Sequence, residues 1–230
     1  MSDLLKHNVI FVSVDGLYDI NEVSYSYSVN AKERIDKVTE YKNILNEKGY
    51  RVKLLNPLES ADIKIPSFPY FIQPKNSTYT NELDYSIFIL KHLFNYLKDE
   101  VFTHIIIFQY DGFINNFDMW DDEFLKFDFL GNSYQSDSFI NTDNFFSLKQ
   151  KRKGTHLNGG FSLRSRELLE RCSNISYDVF TEIYNWIGCD NEDLVILDYV
   201  DWNKMPNDKN IINKFVGFKN ETKSFGFHKN

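Results

Sequence analysis

The chain is poor in the residues that staple, break or free a backbone: 230 residues hold two cysteines, five prolines and ten glycines. Cys172 and Cys189 match no metal spacing and are too few to staple a domain of this size, so both are read as reduced thiols of an intracellular protein. Long hydrophobic runs are missing too. The apolar stretch near the N-terminus, Val9 to Val14, ends at Asp15, and nothing later approaches the roughly 18 apolar residues of a membrane span. A cytoplasmic protein without a transmembrane segment is expected, with peripheral membrane association as the remaining membrane option. Positive charge is scarce: a formal net charge of −7 argues against a nucleic-acid partner, which requires a basic face to displace counterions. The one basic cluster, Lys149, Lys151, Arg152 and Lys153, suits a small phosphorylated ligand or an anionic membrane surface. A solvated loop is its bland reading.

What is abundant is aromatic: 17% of the residues are Phe, Trp or Tyr. The length allows one sizeable α/β domain with its own core. Asn8 to Ser13 reads as a buried strand and Arg51 to Leu55 as a second. Between them a helix starts near Asn30, carries Ile35, Val38, Tyr41 and Leu45 on one face and stops at Gly49. Strand, helix, strand is the opening of a parallel, Rossmann-like sheet flanked by helices. Pro57 to Asn81 reads as an irregular excursion, Glu82 to Lys98 as a helix, and Thr103 to Phe108 as the centre of the sheet by its nearly continuous apolar run. The second half reads as helical turns at Trp120 to Phe127, loop from Asn132 to Gln150, a short strand from Gly160 to Leu163, and helices at Ser165 to Cys172 and Tyr177 to Ile187.

Three constellations carry chemistry. Gln109-Tyr110-Asp111-Gly112 follows the central strand, where open α/β sheets bind ligands, although Asp-Gly between apolar runs is also a hairpin signature. Asn158-Gly159-Gly160, followed by Arg164 and Arg166, offers close backbone approach to a ligand and positive charge for phosphate; a flexible turn is the alternative. Glu192-Asp193, just after Asp190, opens an apolar run. Acids there serve either as helix caps, the reading favoured for Asp190, or as a general base toward a sugar hydroxyl. His228 stands alone near the C-terminus.

In this order, FQYDGFINNFDMWDDEFLKFDFLG, NGGFSLRSRELLE and NEDLVI resemble a family of GT-A type glycosyltransferases long filed as a domain of unknown function in polysaccharide-related gene neighbourhoods. The matching segments are Gln109 to Asp111, Trp120 to Gly131, Leu157 to Arg164 and Glu192-Asp193. The resemblance implies a single GT-A-like domain over residues 1–230, with residues to about 115 binding a nucleotide sugar and the remainder binding a glycan or glycoconjugate acceptor. It implies that Gln109, Asp111, Gly112, Trp120, Asn158, Gly159, Gly160 and Arg164 bind donor or acceptor. Asp111 with His228 would hold Mn²⁺ or Mg²⁺, and Asp193, with Glu192 beside it, would be the base of an inverting reaction. Asp122 and Glu123 either orient sugar hydroxyls or form a solvated face.

Two positions depart from the pattern. Gln109 stands where the wider GT-A class has the first acid of Asp-x-Asp, and Leu157 replaces a glycine. The first departure weakens the case for a metal. Two rival readings follow from the same residues: a glycoside hydrolase using Asp111 and Asp193 as a carboxylate pair, and a non-catalytic module that binds a sugar or nucleotide.

Overall fold

In a computed structural model the described residues are 3–15, 31–58, 61–65, 85–134, 156–179, 192–196, 199–217 and 222–228. Six strands form one sheet in the order β3-β2-β1-β4-β7-β6. They are β1 (Val9–Val14), β2 (Arg51–Asn56), β3 (Ile63–Lys64), β4 (His104–Ile107), β6 (Phe129–Tyr134) and β7 (His156–Ser165). The pairs among β3, β2, β1 and β4 are parallel, while β7 runs antiparallel to both β4 and β6. The expected α/β architecture, a mostly parallel sheet flanked by helices, is therefore found.

Both faces of the sheet are covered, which explains why its central strands are apolar throughout rather than alternating. On one face Val9, Phe11, Ile106 and Phe108 pack with Val38, Tyr41 and Leu45 of helix α2 (Ala31–Glu47). On the other, Ile10, Val12, Ile105 and Ile107 pack with Phe88, Ile89, Leu93 and Leu97. Gly49 ends α2 in the left-handed region, with φ +75°. Its N–H and that of Tyr50 close on Asn46 and Leu45 at 2.9 Å each, satisfying carbonyls that a helix end would otherwise orphan.

The helix expected from Glu82 to Lys98 is described from residue 85 and is not uniform. A π-helical turn, Phe88–His92, precedes α3 (Leu93–Leu97). Helix α4 (Arg166–Ser173) begins at the N-cap Ser165, whose hydroxyl accepts from Leu168 N–H at 3.0 Å and donates to Asp128 at 2.7 Å. Asp128 is fully buried; it also accepts the Asp201 N–H at 2.8 Å and the Arg171 guanidinium, tying the start of β6 to the end of β7. On α4, Cys172 is buried and its thiol is pushed up to about 12, so it is an inert core residue.

Two sequence expectations are corrected. The strand expected at Gly160 to Leu163 is ten residues long, and the loop expected from Asn132 begins later, because Asn132, Ser133 and Tyr134 pair with Asn158, Leu157 and His156. Polar residues look like loop in a pattern analysis, yet backbone pairing does not require apolar side chains. The helical turn expected within Trp120 to Phe127 is present as the 3₁₀ segment Asp122–Lys126, preceded by a second, Phe117–Met119; Asp121 and Asn116 cap them. A short N-terminal helix α1 (Asp3–Asn8) was not anticipated, being too short to show periodicity. The Lys149 to Lys153 cluster, Cys189, Asp190, most of Pro57 to Asn81, and most of the expected loop at 132–150 and helix at 177–187 lie outside the described residues.

A second, three-stranded sheet has the order β5-β9-β8, from β5 (Gly112–Ile114), β8 (Val216–Gly217) and β9 (Gly226–His228). It lies against α2, where the Tyr41 ring stacks on Phe113 with centroids 3.9 Å apart. Two further helices complete the description, α5 (Glu192–Ile196) and α6 (Lys209–Phe215). No helix among the described residues is long and apolar enough to cross a membrane.

Candidate active site

The site is built where β4 ends. Gln109 and Gly112 exchange backbone hydrogen bonds of 3.1 and 3.2 Å, so the two-residue turn consists of Tyr110 and Asp111. Gly112 is already the first residue of β5, and it is not among the glycines with positive φ. The Asp-Gly pair is thus not the centre of the turn that its composition suggested. Glycine is required at 112 for space instead: a β-carbon there would lie 2.7 Å from His228 Cδ2.

The register of β5 against β9 places Gly112 opposite His228, which brings the imidazole to Asp111. Nε2 and Oδ1 are 3.6 Å apart, too far for a hydrogen bond. Neither atom, nor His228 Nδ1, has a hydrogen-bond partner among the described residues, although all three are buried. Burial lowers the His228 pKa against the pull of Asp111 and Glu192. The folded chain therefore holds that proton less tightly than the unfolded chain, and stability falls as pH drops through the ordinary imidazole range.

Because β7 is antiparallel to β4, its first half reaches the same end of the sheet. The space beside Gly159 and Gly160 is taken by the site's own side chains. A β-carbon at Gly160 would lie 2.0 Å from His228 Nε2, and one at Gly159 would lie 2.1 Å from Asp193 Oδ1 and 2.4 Å from Glu192 Oε1. Gly160→Ala is expected to displace the His228 ring and to lower stability by about 1–3 kcal/mol, the usual range for overpacking. Urea unfolding and the ring resonances of His228 check this; an unmoved ring contradicts it.

Arg164 follows on β7 and is fully buried. Its guanidinium donates to Glu192 at 3.0 Å and to Ser162 Oγ at 3.2 Å, and lies 5.4 Å from the centroid of Phe129. Its charge is committed to Glu192 rather than offered at the surface. Glu192 and Asp193 open α5 and are both buried. The Asp193 carboxylate lies against the Gly159 backbone beside Glu192, and its Oδ1 is buried without a hydrogen-bond partner among the described residues. Burial, then the neighbouring Glu192, push its carboxyl well above the ordinary carboxylate range, with Arg164 acting in the opposite sense.

Gln109 donates its side-chain amide to the Tyr85 hydroxyl at 3.0 Å. Burial, then Glu192, raise the pKa of the Tyr85 hydroxyl. Ser86 accepts the Glu192 N–H at 3.1 Å. Neither residue was anticipated: periodicity assigns Tyr85 to a core face and carries no signal for what a hydroxyl bonds. Trp120 lies at the margin, its ring 5.2 Å from Phe225 and its indole N–H on Asp122 at 2.8 Å. Asp122 is thereby occupied, and Glu123 pairs with exposed Lys126, as a solvated face would. Asn158 is a backbone member of β7.

The sequence profile of one family, described as protein of unknown function (DUF5672), matches residues 71–228, more than half of the chain. The chain belongs to this family. The DUF5672 span includes every site residue from Tyr85 to His228. Two solved structures are similar at low identity. One is a glycosyltransferase involved in the glycosylation of the major capsid of PBCV-1, with a TM-score of 0.49 and 11% identity, covering 96% of this chain and 92% of that one. The other is the galactosyltransferase LgtC in complex with donor and acceptor sugar analogs, with a TM-score of 0.48 and 10% identity, covering 96% and 86%. No curated protein matches the DUF5672 chain significantly.

Proposed function

We propose that this chain transfers a sugar from a nucleoside-diphosphate donor to a hydroxyl of a glycan or other acceptor in polysaccharide or glycoconjugate biosynthesis. The observation that carries this reading is the meeting of two unlike acidic groups at the carboxyl end of a parallel sheet. One is an acid and an imidazole with unsatisfied ligating atoms 3.6 Å apart; the other is a buried carboxylate pair held by one arginine.

The first group fits a divalent cation. Carboxylate oxygen with a neutral imidazole suits Mn²⁺, and oxygen donors suit Mg²⁺. Among the described residues no cluster of three or more His, Cys, Asp or Glu side chains forms, so Asp111 and His228 would supply two ligands, leaving the rest to phosphate oxygens and water. A bound cation would offset the charge of a departing diphosphate. The second group supplies the base. Asp193, with its raised affinity for a proton, takes the proton of the acceptor hydroxyl; the Gly159 backbone packs against it, and Arg164 balances Glu192.

A thermal-shift panel of nucleotide sugars, with and without Mn²⁺, tests this on the full chain and on Asp111→Asn. One donor should stabilise the native protein in a Mn²⁺-dependent manner, lost in Asp111→Asn, with release of nucleoside diphosphate once an acceptor is added. Stabilisation that ignores both Mn²⁺ and Asp111→Asn, with no release under any acceptor, would indicate the binding module. Sugar release from a glycoside without nucleotide would indicate the hydrolase.

A further inference from the structure

Tyr85 and Ser86 lie outside every motif that pointed to the site, yet both reach into it. They are neighbours in one helical segment, and their hydroxyls accept hydrogen bonds from two different parts of the site: Gln109 Nε2 at 3.0 Å and the Glu192 N–H at 3.1 Å. Gln109 opens the turn that carries Asp111, and Glu192 is the first residue of the helix that carries Asp193.

Helix α5 is five residues long, well short of the length at which a helix is stable by itself in water. Its first N–H has no intrahelical partner, as at any helix start, and Ser86 supplies one from a position that is only 3% exposed. A serine inside a helix ordinarily bonds its own preceding turn; this one spans to a distant segment. The π turn at Phe88–His92 follows directly, and a π turn changes the angular position of the residues before it relative to those after. Phe88, Ile89, Leu93 and Leu97 pack on the sheet, the Tyr85 ring packs against the same apolar cluster, and the Tyr85 and Ser86 hydroxyls reach Gln109 and the start of α5.

We propose that Tyr85 and Ser86 are positioning residues that hold the two acidic groups in register, Ser86 through the start of α5 and Tyr85 through the Gln109 amide. The functional half of this claim rests on the glycosyl-transfer reading; the structural half does not.

The test uses the full chain as wild type, Ser86→Ala, Ser86→Thr and Tyr85→Phe. By NMR, Ser86→Ala should speed exchange of the Glu192 amide and shift the Gly159 amide, which reports on the Asp193 carboxylate; Ser86→Thr should restore both. Tyr85→Phe should shift the Gln109 side-chain amide and leave Glu192 exchange unchanged. With the donor found by thermal shift, Ser86→Ala should lower kcat by about 10–100-fold, the scale of a misplacement of about 1 Å, with donor KM nearly constant. Unaltered Glu192 exchange and Gly159 shift in folded Ser86→Ala would overturn the proposal. So would altered amides with wild-type kcat, or a loss that Ser86→Thr fails to rescue. A wild-type chain that turns over no nucleotide sugar would refute the glycosyl-transfer reading and the catalytic part of the proposal, while the amide measurements still decide the structural contacts.

Discussion

Asp193→Asn should lower sugar transfer by about 10²–10⁴-fold, the usual contribution of a general base, while making the folded chain more stable at neutral pH. The side chain is buried against the Gly159 backbone and beside Glu192. An asparagine amide has nearly the same shape and fills the same space. What it removes is the ionisable group, whose pKa burial and Glu192 raise. The folded chain holds this proton more tightly than the unfolded chain. Its stability is therefore highest below the ordinary carboxylate pKa and declines as pH climbs toward the folded value. Asp193→Asn abolishes that decline, so its gain in melting temperature should widen with pH. Equal melting temperatures at pH 5 and pH 8, or undiminished transfer, would refute the assignment.

Arg164→Met should have the largest effect on stability, a loss of about 3–5 kcal/mol, the range for removing one partner of a buried ion pair. The guanidinium is fully buried, and the Glu192 side chain it holds is 9% exposed, so solvent screens the pair little. Removal leaves two buried carboxyls without a counter-charge. Asp193, already raised, then favours its protonated form more strongly in the folded chain, and the loss measured by urea unfolding should be greater at pH 8 than at pH 5. Adding Glu192→Gln and Asp193→Asn to Arg164→Met should recover most of it, because a fully neutral pocket carries no unpaired charge. Absence of that recovery would mean that Arg164 acts through packing on Phe129 rather than through its charge.

The central sheet was legible because its chemistry is repetitive. β1 and β4 are largely apolar runs, β2 alternates Arg51 and Lys53 with buried Val52 and Leu54, and α2 shows its periodicity and its glycine stop. β7 was underestimated because His156, Leu157 and Asn158 join it by pairing with β6, and backbone hydrogen bonds leave no mark on composition. The candidate site divides the same way. Asp111, Gly159, Gly160, Arg164, Glu192 and Asp193 were singled out because ordered motifs mark them, His228 as a lone residue, and the geometry brings all of them to one end of the sheet. A sequence records that a glycine position must be small, not which atoms need the space. Tyr85 and Ser86 stayed hidden because a hydroxyl on a helix does not announce its distant acceptor or donor.

The pairing of β5 with β9 carries a consequence for the order of folding. Asp111 and His228 are brought together by strands of three residues each, drawn from segments far apart in the chain. Closing so long a loop sacrifices chain entropy that such a short ladder repays only slightly, whereas β1, α2 and β2 assemble from near neighbours. The scaffold can thus reach its shape before the acid and the imidazole meet.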